Sequence, residues 1–207
     1  LPAEPGESFA WRGLLPDSQQ VLFGKSVDRF GGERDFELRF RTLPAAPHLV
    51  LNEALSNALG AEPASEWIEL FNDGPAPAEL GGLRIADGGG QVELPPGRLE
   101  PGTYALLVRD DFVENGVDVP PAPGTTIVRL PSLGKNGLSN SGEALTLLDA
   151  NDRVLSRMPA LPSAHAGVSL ARRTPASPDD APDSFAEHAA PGASPGAENS
   201  VVAAAAR

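Results

Sequence analysis

The stretch that most constrains the fold is residues 66–74, Glu-Trp-Ile-Glu-Leu-Phe-Asn-Asp-Gly. Because side chains alternate along a strand, Ile68 and Leu70 point to one face, and Trp67, Glu69 and Phe71 to the other. A strand with large apolar groups on both faces is usually covered on both sides. The closing Asn-Asp-Gly is typical of turns, since these residues tolerate a positive φ. The sequence therefore predicts a central strand over residues 66–71, followed by a turn.

Composition indicates the fold class. The chain has 207 residues, of which 41% are hydrophobic, which is enough for a packed core. Gly and Pro, 22 of each, are spread between short apolar runs, and this spacing is typical of many short strands joined by turns. No segment has the apolar periodicity of a helix of ordinary length. We therefore expect an all-β protein, built as a sandwich or a barrel.

The negative charge lies almost entirely after residue 43. Residues 1–43 hold 6 basic and 7 acidic residues, and residues 44–207 hold 10 and 21, so their net charges are −1 and −11. An acidic surface repels phosphate backbones, so nucleic acid is not an expected partner, and basic protein surfaces or divalent cations fit better. Without cysteine, disulfides and thiolate metal sites are excluded. The apolar run 201–206 is too short to span a bilayer, which needs about 20 residues.

Residues 1–43 contain an apolar patch at 9–11 and two strand patterns, at 20–24 and 35–42. In the second, Phe36, Leu38 and Phe40 share one face, as in a half-buried antiparallel strand. Two strands cannot form a domain alone, so this segment either packs on the rest of the chain or ends a domain that begins before Leu1. Its turn Val27-Asp28-Arg29-Phe30-Gly31-Gly32 and its ending Phe40-Arg41-Thr42 resemble the C-terminal part of a bacterial Ig-like domain. Residues 44–47 form a proline-stiffened linker.

From residue 48 onward, several motifs in order resemble the lamin-tail domain. They are Leu49-Val50-Leu51-Asn52-Glu53, the stretch 66–74, Leu80-Gly81-Gly82-Leu83 with the strand after it, Leu99-Glu100-Pro101-Gly102, residues 138–149, Gly167-Val168-Ser169-Leu170-Ala171-Arg172, and Ser194-Pro195-Gly196-Ala197-Glu198-Asn199. At Leu83 the family usually has an aromatic residue.

The resemblance implies an Ig-like antiparallel β-sandwich over residues 48–199, followed by a flexible tail over residues 200–207. It also implies a module that is mostly non-enzymatic in bacteria, where it is attached to exported nucleases, phosphatases or surface proteins. Eukaryotic relatives are linked to DNA and protein binding, and the net charge of this chain argues against DNA. We expect residues 174–199 to lie as extended chain along the sandwich, with Phe185 as their anchor.

Candidate chemical groups are few. The acidic loop Asp110, Asp111, Glu114 and Asp118 offers the hard oxygen ligands that Ca²⁺ takes, or it is a solvated loop. Glu69 is either a buried acid with a raised pKa or the ion-pair partner of Arg84, and the ion pair is the expected reading.

The remaining polar and aromatic residues favour structural roles. Asn52 and Glu53 are expected to tie strand ends by hydrogen bonds, and Asp149, Asn151 and Asp152 to form a hairpin turn. Trp67 and Tyr104 are expected in the sandwich core rather than stacked on sugars. Arg172-Arg173 is a basic pair too small for a nucleic-acid footprint. The three His residues have no zinc-site spacing, and no nucleophile pattern is present.

The sequence therefore predicts no enzyme and no required cofactor. It favours a binding or structural module of a secreted or cell-surface protein of a GC-rich bacterium, with an adhesion, assembly or spacer role. A protein partner or self-assembly is expected, with surface attachment and no membrane span. The alternatives are an accessory domain that targets an exported hydrolase, and a calcium-stabilised stalk.

Overall fold

The computed structural model of the protein describes residues 13–114, 116–134, 137–161, 165–179 and 181–201. The apolar patch at 9–11 and the tail beyond Val201 lie outside the described residues. The chain forms two compact units, Leu1–Ala45 and Ala46–Arg207, and the expected linker at 44–47 spans the boundary between them. The assignment of the first unit to an Ig-like domain stays a prediction.

The first unit is an antiparallel hairpin of β1 (Gln19–Val27) and β2 (Glu33–Arg41). The Asp28 carboxylate closes the turn by accepting hydrogen bonds from the Phe30 and Gly32 amides, each at 2.8 Å. The strand register places Leu22 and Leu38 opposite each other, and Gly24 opposite Phe36. The expected antiparallel strand is thereby confirmed, but its expected half-burial is not, because Phe36 and Leu38 are 45% and 50% exposed.

The second unit is built from short strands. They are β3 (Leu49–Leu55), β4 (Trp67–Asn72), β5 (Ala78–Glu79), β6 (Arg84–Ala86), β7 (Gln91–Glu93), β8 (Arg98–Leu99), β9 (Tyr104–Arg109), β10 (Thr126–Leu130), β11 (Leu145–Leu148), β12 (Val154–Met158), β13 (Leu170–Arg172) and β14 (Phe185–Glu187). A six-stranded sheet has the order β10-β9-β4-β3-β13-β14, a four-stranded sheet has the order β12-β11-β6-β7, and β5 pairs with β8. This arrangement confirms the all-β, Ig-like sandwich.

Helical structure is slight in the described part of the chain. One 3₁₀ turn, Pro182–Ser184, precedes β14. None of the described residues form a helix with the length and apolar character that crossing a bilayer requires.

The strand β4 is buried on both faces, as its side-chain pattern predicts. Ile68 and Leu70 join the main core between the six- and four-stranded sheets, where they meet residues such as Leu147. Trp67 lies on the opposite face in a second cluster that includes Phe112 and Ala193. These two come from the connection after β9 and from the C-terminal segment, so irregular chain covers the outer face of the six-stranded sheet.

Two features of the sheets differ from expectation. The strand expected over residues 80–87 is only β6, because Leu80–Leu83 form a turn in which the Leu83 amide donates to the Leu80 carbonyl at 3.0 Å. Most described pairs are antiparallel, but β10 runs parallel to β9. A parallel return needs a crossover of about a dozen residues or more, and residues 110–125 supply it.

The turn after β4 does not use positive φ. None of Asn72, Asp73 and Gly74 adopts it, although all three residue types tolerate it. Asn72 is fully buried instead, and its side-chain amide donates to the carbonyls of Ala76 at 2.9 Å and Leu99 at 3.0 Å. Gly74 is required for space, because a Cβ there would lie 2.2 Å from the backbone nitrogen of His48.

We expect Gly74→Ala to lower the free energy of unfolding by about 1–3 kcal/mol, the usual cost of forcing extra volume against fixed backbone. Urea denaturation of the purified chain measures it. Gly90→Ala is the matched control, since a Cβ at Gly90 meets no atom within 4 Å. Equal stabilities of the two variants would contradict the steric explanation.

Candidate functional site

Two buried glutamates lie opposite each other in the six-stranded sheet. Glu53 of β3 and Glu69 of β4 are register partners, and both are fully buried. The register shifts between Leu51 and Glu53, and the intervening Asn52 donates from its side-chain amide to Glu69 Oε1 at 2.7 Å. An irregularity in β3 thus brings an amide and two carboxyl groups together on one part of the sheet.

Residues 189–200, which we call the C-terminal strap, close over this pair. Ser194 donates from its backbone nitrogen to Glu53 Oε1 at 2.9 Å and from its hydroxyl to Glu53 Oε2 at 3.0 Å. The Gly196 amide donates to Glu69 Oε2. Asn199 donates to the Arg172 carbonyl at 2.8 Å and to the Asn52 carbonyl at 3.2 Å. The carboxyl pair therefore holds the strap against the sheet. This contact agrees with the prediction that residues 174–199 lie as extended chain along the sandwich.

Burial raises the pKa of Glu53, and the hydrogen bonds from Ser169 and Ser194 only partly oppose it. Burial also raises the pKa of Glu69 well above its usual range, and the neighbouring charge of Glu53 raises it further. Two like charges in one dry site repel strongly. The pair therefore keeps a proton at pH values where an exposed glutamate is ionised.

The expected ion pair between Glu69 and Arg84 is wrong. Arg84 lies in the four-stranded sheet, where it pairs with Asp152 at 2.7 Å and donates to the Asp149 carbonyl at 2.9 Å. Glu69 lies in the other sheet and takes neutral donors. The expected hairpin turn is confirmed, because Asp149 Oδ1 accepts hydrogen bonds from the Asn151 and Arg153 amides.

Arg172 is the most extensively bonded side chain near the carboxyl pair, and only 1% of the residue is exposed. Its guanidinium lies 4.7 Å over the Phe185 ring and pairs with Asp179 at 2.6 Å. It also donates to four further oxygens, the carbonyls of Leu51, Arg157 and Ser177 and the hydroxyl of Ser156. It thus connects β3, β12 and the segment after β13. The sequence analysis, which treated Arg172-Arg173 only as a small basic pair, did not predict this role.

The four acidic residues proposed for calcium bind different protein partners. Asp111 pairs with Arg109 at 3.0 Å, and Glu114 pairs with Arg129 at 3.4 Å. Asp118 accepts the amides of Leu59 and Gly60. Asp110 follows β9, and its amide donates to the Leu130 carbonyl. Within the described ranges, no group of three or more acidic or His side chains is placed to hold a metal. Calcium binding stays a prediction, which an identical melting temperature in Ca²⁺ and in chelator would contradict.

A third buried acid, Glu66, lies just before β4. Its Oε2 accepts the Leu138 amide at 2.6 Å. Burial raises the pKa of Glu66 to about 7, with the charges of Glu62 and Glu143 adding to the rise. Sequence reasoning did not single out this residue, because its partner comes from a loop 72 residues away in the chain.

We expect the Glu66 side-chain carbon signal to titrate near pH 7 in NMR spectra, together with the Leu138 amide. Below the unfolded-state pKa of about 4.3 the carboxyl is protonated in both states, and above it the unfolded chain loses its proton first. The raised pKa therefore lowers stability as pH rises to 7, by about 1–2 kcal/mol after allowance for screening. Glu66→Gln should abolish the Leu138 titration and that part of the pH dependence. A Glu66 midpoint near pH 4.5 would contradict the assignment.

The buried acids are arranged to hold structure. Among the described residues, every buried side-chain nitrogen and oxygen atom has a hydrogen-bond partner. The described histidines are also engaged, His48 with Asp73, His165 with Glu187, and His188 with the Ser200 amide. Nothing in this geometry leaves the carboxyl pair open to a substrate, since the strap lies over it.

Two sheets packed over one apolar core, with a polar network that fastens the C-terminal strap, define an Ig-like structural β-sandwich, which is not a catalytic type of domain. Residues 42–160 match the family model described as Lamin Tail Domain. The matched range is more than half of the chain. The chain therefore belongs to the lamin tail domain family, as its motifs predict. No curated protein matches it.

The family match ends before the residues that complete the polar network. Ser169, Arg172, Ser194 and Asn199 all lie after residue 160. The motifs 167–172 and 194–199 were the available signals for them, and these motifs predicted a resemblance without indicating which contacts they make.

Proposed function

We propose that this chain is a non-catalytic binding or structural module of a secreted or cell-surface bacterial protein, with a role in adhesion, assembly or spacing. The observation that carries the proposal is the use of the buried polar groups. Glu53, Glu69 and Arg172, the groups best suited to chemistry, are all committed to hydrogen bonds within a lamin tail sandwich. An interaction with another protein then uses the outside of the sandwich.

The expected partner is a protein surface that is neutral or basic. Residues 44–207 carry a net charge of −11, which disfavours nucleic acid and anionic lipid. Net charge of this size also favours solubility of the free module.

We propose that residues 1–43 are the C-terminal part of a second Ig-like domain. The hairpin leaves apolar side chains exposed on both faces, with Phe36 and Leu38 at 45% and 50% on one face and Phe23 at 71% on the other. A two-stranded hairpin is marginally stable alone, so further strands covering these side chains would complete a domain. Such a tandem arrangement also suits the alternative function, an accessory module that targets an exported nuclease or phosphatase. The full-length gene would separate the two, because the accessory role requires a catalytic domain beside this one.

The test combines fractionation with affinity capture. We expect the natural protein to lie in the secreted or surface fraction of its source organism, and the purified, tagged chain to retain a specific protein from that fraction. A charge-matched β-sandwich of unrelated sequence is the control. Retention in the cytoplasm would overturn the localisation, and turnover of a phosphoester or glycan by the purified chain would overturn the non-catalytic assignment.

A further inference from the structure

One edge of the six-stranded sheet is open. Of the four strands that end the two main sheets, β14 and β7 have only three residues each, and a bridge between His188 and Val201 follows β14. The edge of β12 is partly used, because Arg172 donates to its Arg157 carbonyl at 3.1 Å. The fourth strand, β10, has five residues, and no strand in the described part of the chain pairs with its outer side.

One hydrogen bond shows which main-chain groups β10 turns outward. The Asp110 amide donates to the Leu130 carbonyl at 2.9 Å, so Leu130 turns its main-chain groups toward β9. Successive residues of a strand turn these groups to opposite sides, so Val128 also faces β9, whereas Ile127 and Arg129 face outward. No turn, loop or side-chain hydrogen bond of the described residues reaches these outward groups.

The charged side chain of β10 leaves this edge clear. The Arg129 guanidinium lies toward β9, where it donates to the carbonyls of Asp110 at 3.0 Å and Phe112 at 3.1 Å and pairs with Glu114 at 3.4 Å. A charged side chain that projects from an edge strand commonly discourages pairing. Arg129 does not protect the edge of β10 in this way, because its guanidinium is bound on the side of the neighbouring strand.

The outward groups select the shape of a ligand. Two N–H donors and two C=O acceptors lie on residues two apart, which in a strand repeat about every 6.5–7 Å. An extended main chain presents complementary acceptors and donors at the same repeat, and strand addition to a sheet edge depends on this match. A helix cannot supply it, because its main-chain groups are bonded to each other.

The charge around β10 selects the sign of the ligand. Residues 109–130, which span the end of β9, the crossover and β10, hold four acidic side chains and two arginines, for a net charge of −2. Asp111 and Glu114 keep 54% and 49% of their side chains exposed, although each pairs with an arginine. Because residues 44–207 carry a net charge of −11, a second copy of the chain is repelled and a basic segment is attracted.

We propose that the open edge of β10 takes an extended, basic segment of a partner protein as a seventh strand of the sheet. The Ile127 and Arg129 amides donate to carbonyls of that segment, and the carbonyls of the same two residues accept its N–H groups. Lysine or arginine side chains of the segment lie near Glu114. The inference rests on the proposed binding function and assigns it a site.

The probe is a capped seven-residue peptide that alternates Thr and Lys, titrated into the full chain and followed by NMR. In the free chain, we expect the Ile127 and Arg129 amides to exchange rapidly with solvent and the Val128 and Leu130 amides to exchange slowly. With the peptide, the shifts of the first two amides should saturate. Their exchange should slow about 10-fold at a peptide concentration about ten times the Kd.

Matched variants test the outward N–H. Arg129→Pro removes it without removing a bond to β9, and an edge strand tolerates proline where the nitrogen faces solvent. We expect Arg129→Pro to weaken peptide binding about 10-fold. Arg129→Thr loses the same guanidinium but keeps the N–H, so it should bind at least as tightly as the native chain. Glu114→Gln should weaken binding about 2- to 5-fold, and Glu187→Gln, on β14 at the opposite edge, should not.

Several outcomes would overturn the assignment. They are the absence of saturable shifts at Ile127 and Arg129, equal binding of the same peptide with N-methyl groups on every residue, equal or tighter binding of a peptide that alternates Thr and Glu, and equal affinities of Arg129→Pro and Arg129→Thr. Near-UV circular dichroism confirms that each variant is folded, and the N-methylated peptide tests the same hydrogen bonds on the native chain.

Two further measurements separate the edge from the proposed function. A dimer of the free chain in sedimentation, abolished by Arg129→Pro, would show that the edge takes a second copy, which overturns the assignment to a different protein. If Arg129→Pro captures the surface partner as the native chain does, the edge assignment fails and the proposed function stands. If the native chain captures no partner, the proposed function fails, and the peptide titration decides the edge by itself.

Discussion

Arg172→Ala is expected to lower the free energy of unfolding by about 3–5 kcal/mol, the usual cost of removing one partner from a buried ion pair. The guanidinium pairs with Asp179 at 2.6 Å and donates to four other oxygens, and the variant leaves these oxygens without their donor. It also removes the cation from the Phe185 ring. Urea denaturation followed by Trp67 fluorescence measures the loss, in a Trp11→Phe background that leaves one tryptophan.

The adjacent arginine supplies the control. Arg173 is half-buried, and its Nε donates to the Asp183 carbonyl at 2.9 Å. We expect Arg173→Ala to cost about 1 kcal/mol or less. Arg172→Lys should recover only a small part of the loss, because an ammonium group cannot reproduce the planar fork of donors. Similar losses in Arg172→Ala and Arg173→Ala would contradict the central role of Arg172.

The carboxyl pair should make the protein more stable at pH 5 than at pH 9. The pKa values of Glu53 and Glu69 are raised in the folded state, chiefly by burial. A raised carboxyl pKa contributes stability that is complete below the unfolded pKa of about 4.3 and is lost as pH rises through the folded pKa. The free energy of unfolding should therefore fall across this range, and the amides of the C-terminal strap should have lower protection factors at its upper end, after correction for the base catalysis of exchange.

Glu69→Gln tests the origin of this pH dependence. Glutamine is neutral in both states, and its presence removes the like charge beside Glu53. We expect a flatter pH profile, with lower stability than the native chain at pH 5 because one hydrogen bond to Asn52 or Gly196 is lost. Glu93→Gln should retain the native profile. A native stability that is constant or rises from pH 5 to pH 9 would contradict the assignment.

Local pattern was enough to predict much of the fold. The alternation in residues 66–71 predicted β4 and its burial on both faces, and the alternation in residues 35–42 predicted β2 and its apolar face. The predicted hairpin at Asp149 is present. These predictions succeed because strand periodicity and turn chemistry depend on neighbours within a few residues.

Pairings between distant residues were not predictable in the same way. Glu69 was expected to bind Arg84, but Arg84 lies in the other sheet, and the actual partners of Glu69 are Asn52 and Gly196. Arg172 was interpreted as half of a basic pair too small to bind nucleic acid, but its longest-range bond reaches Leu51, 121 residues away. Alternation shows which face of a strand a side chain occupies, but it does not show which segment covers that face.

The sequence by itself determined an all-β sandwich, its central strand, its net negative charge and its family, since these depend on composition, period and motif order. Only the tertiary structure decided that residues 189–200 fold back over β3 and β4, that two glutamates share one buried site, and that β10 is left as an open edge. The reason is physical. Burial and hydrogen bonding depend on which distant segments meet, and in this chain the segments that meet at Glu53 are 141 residues apart.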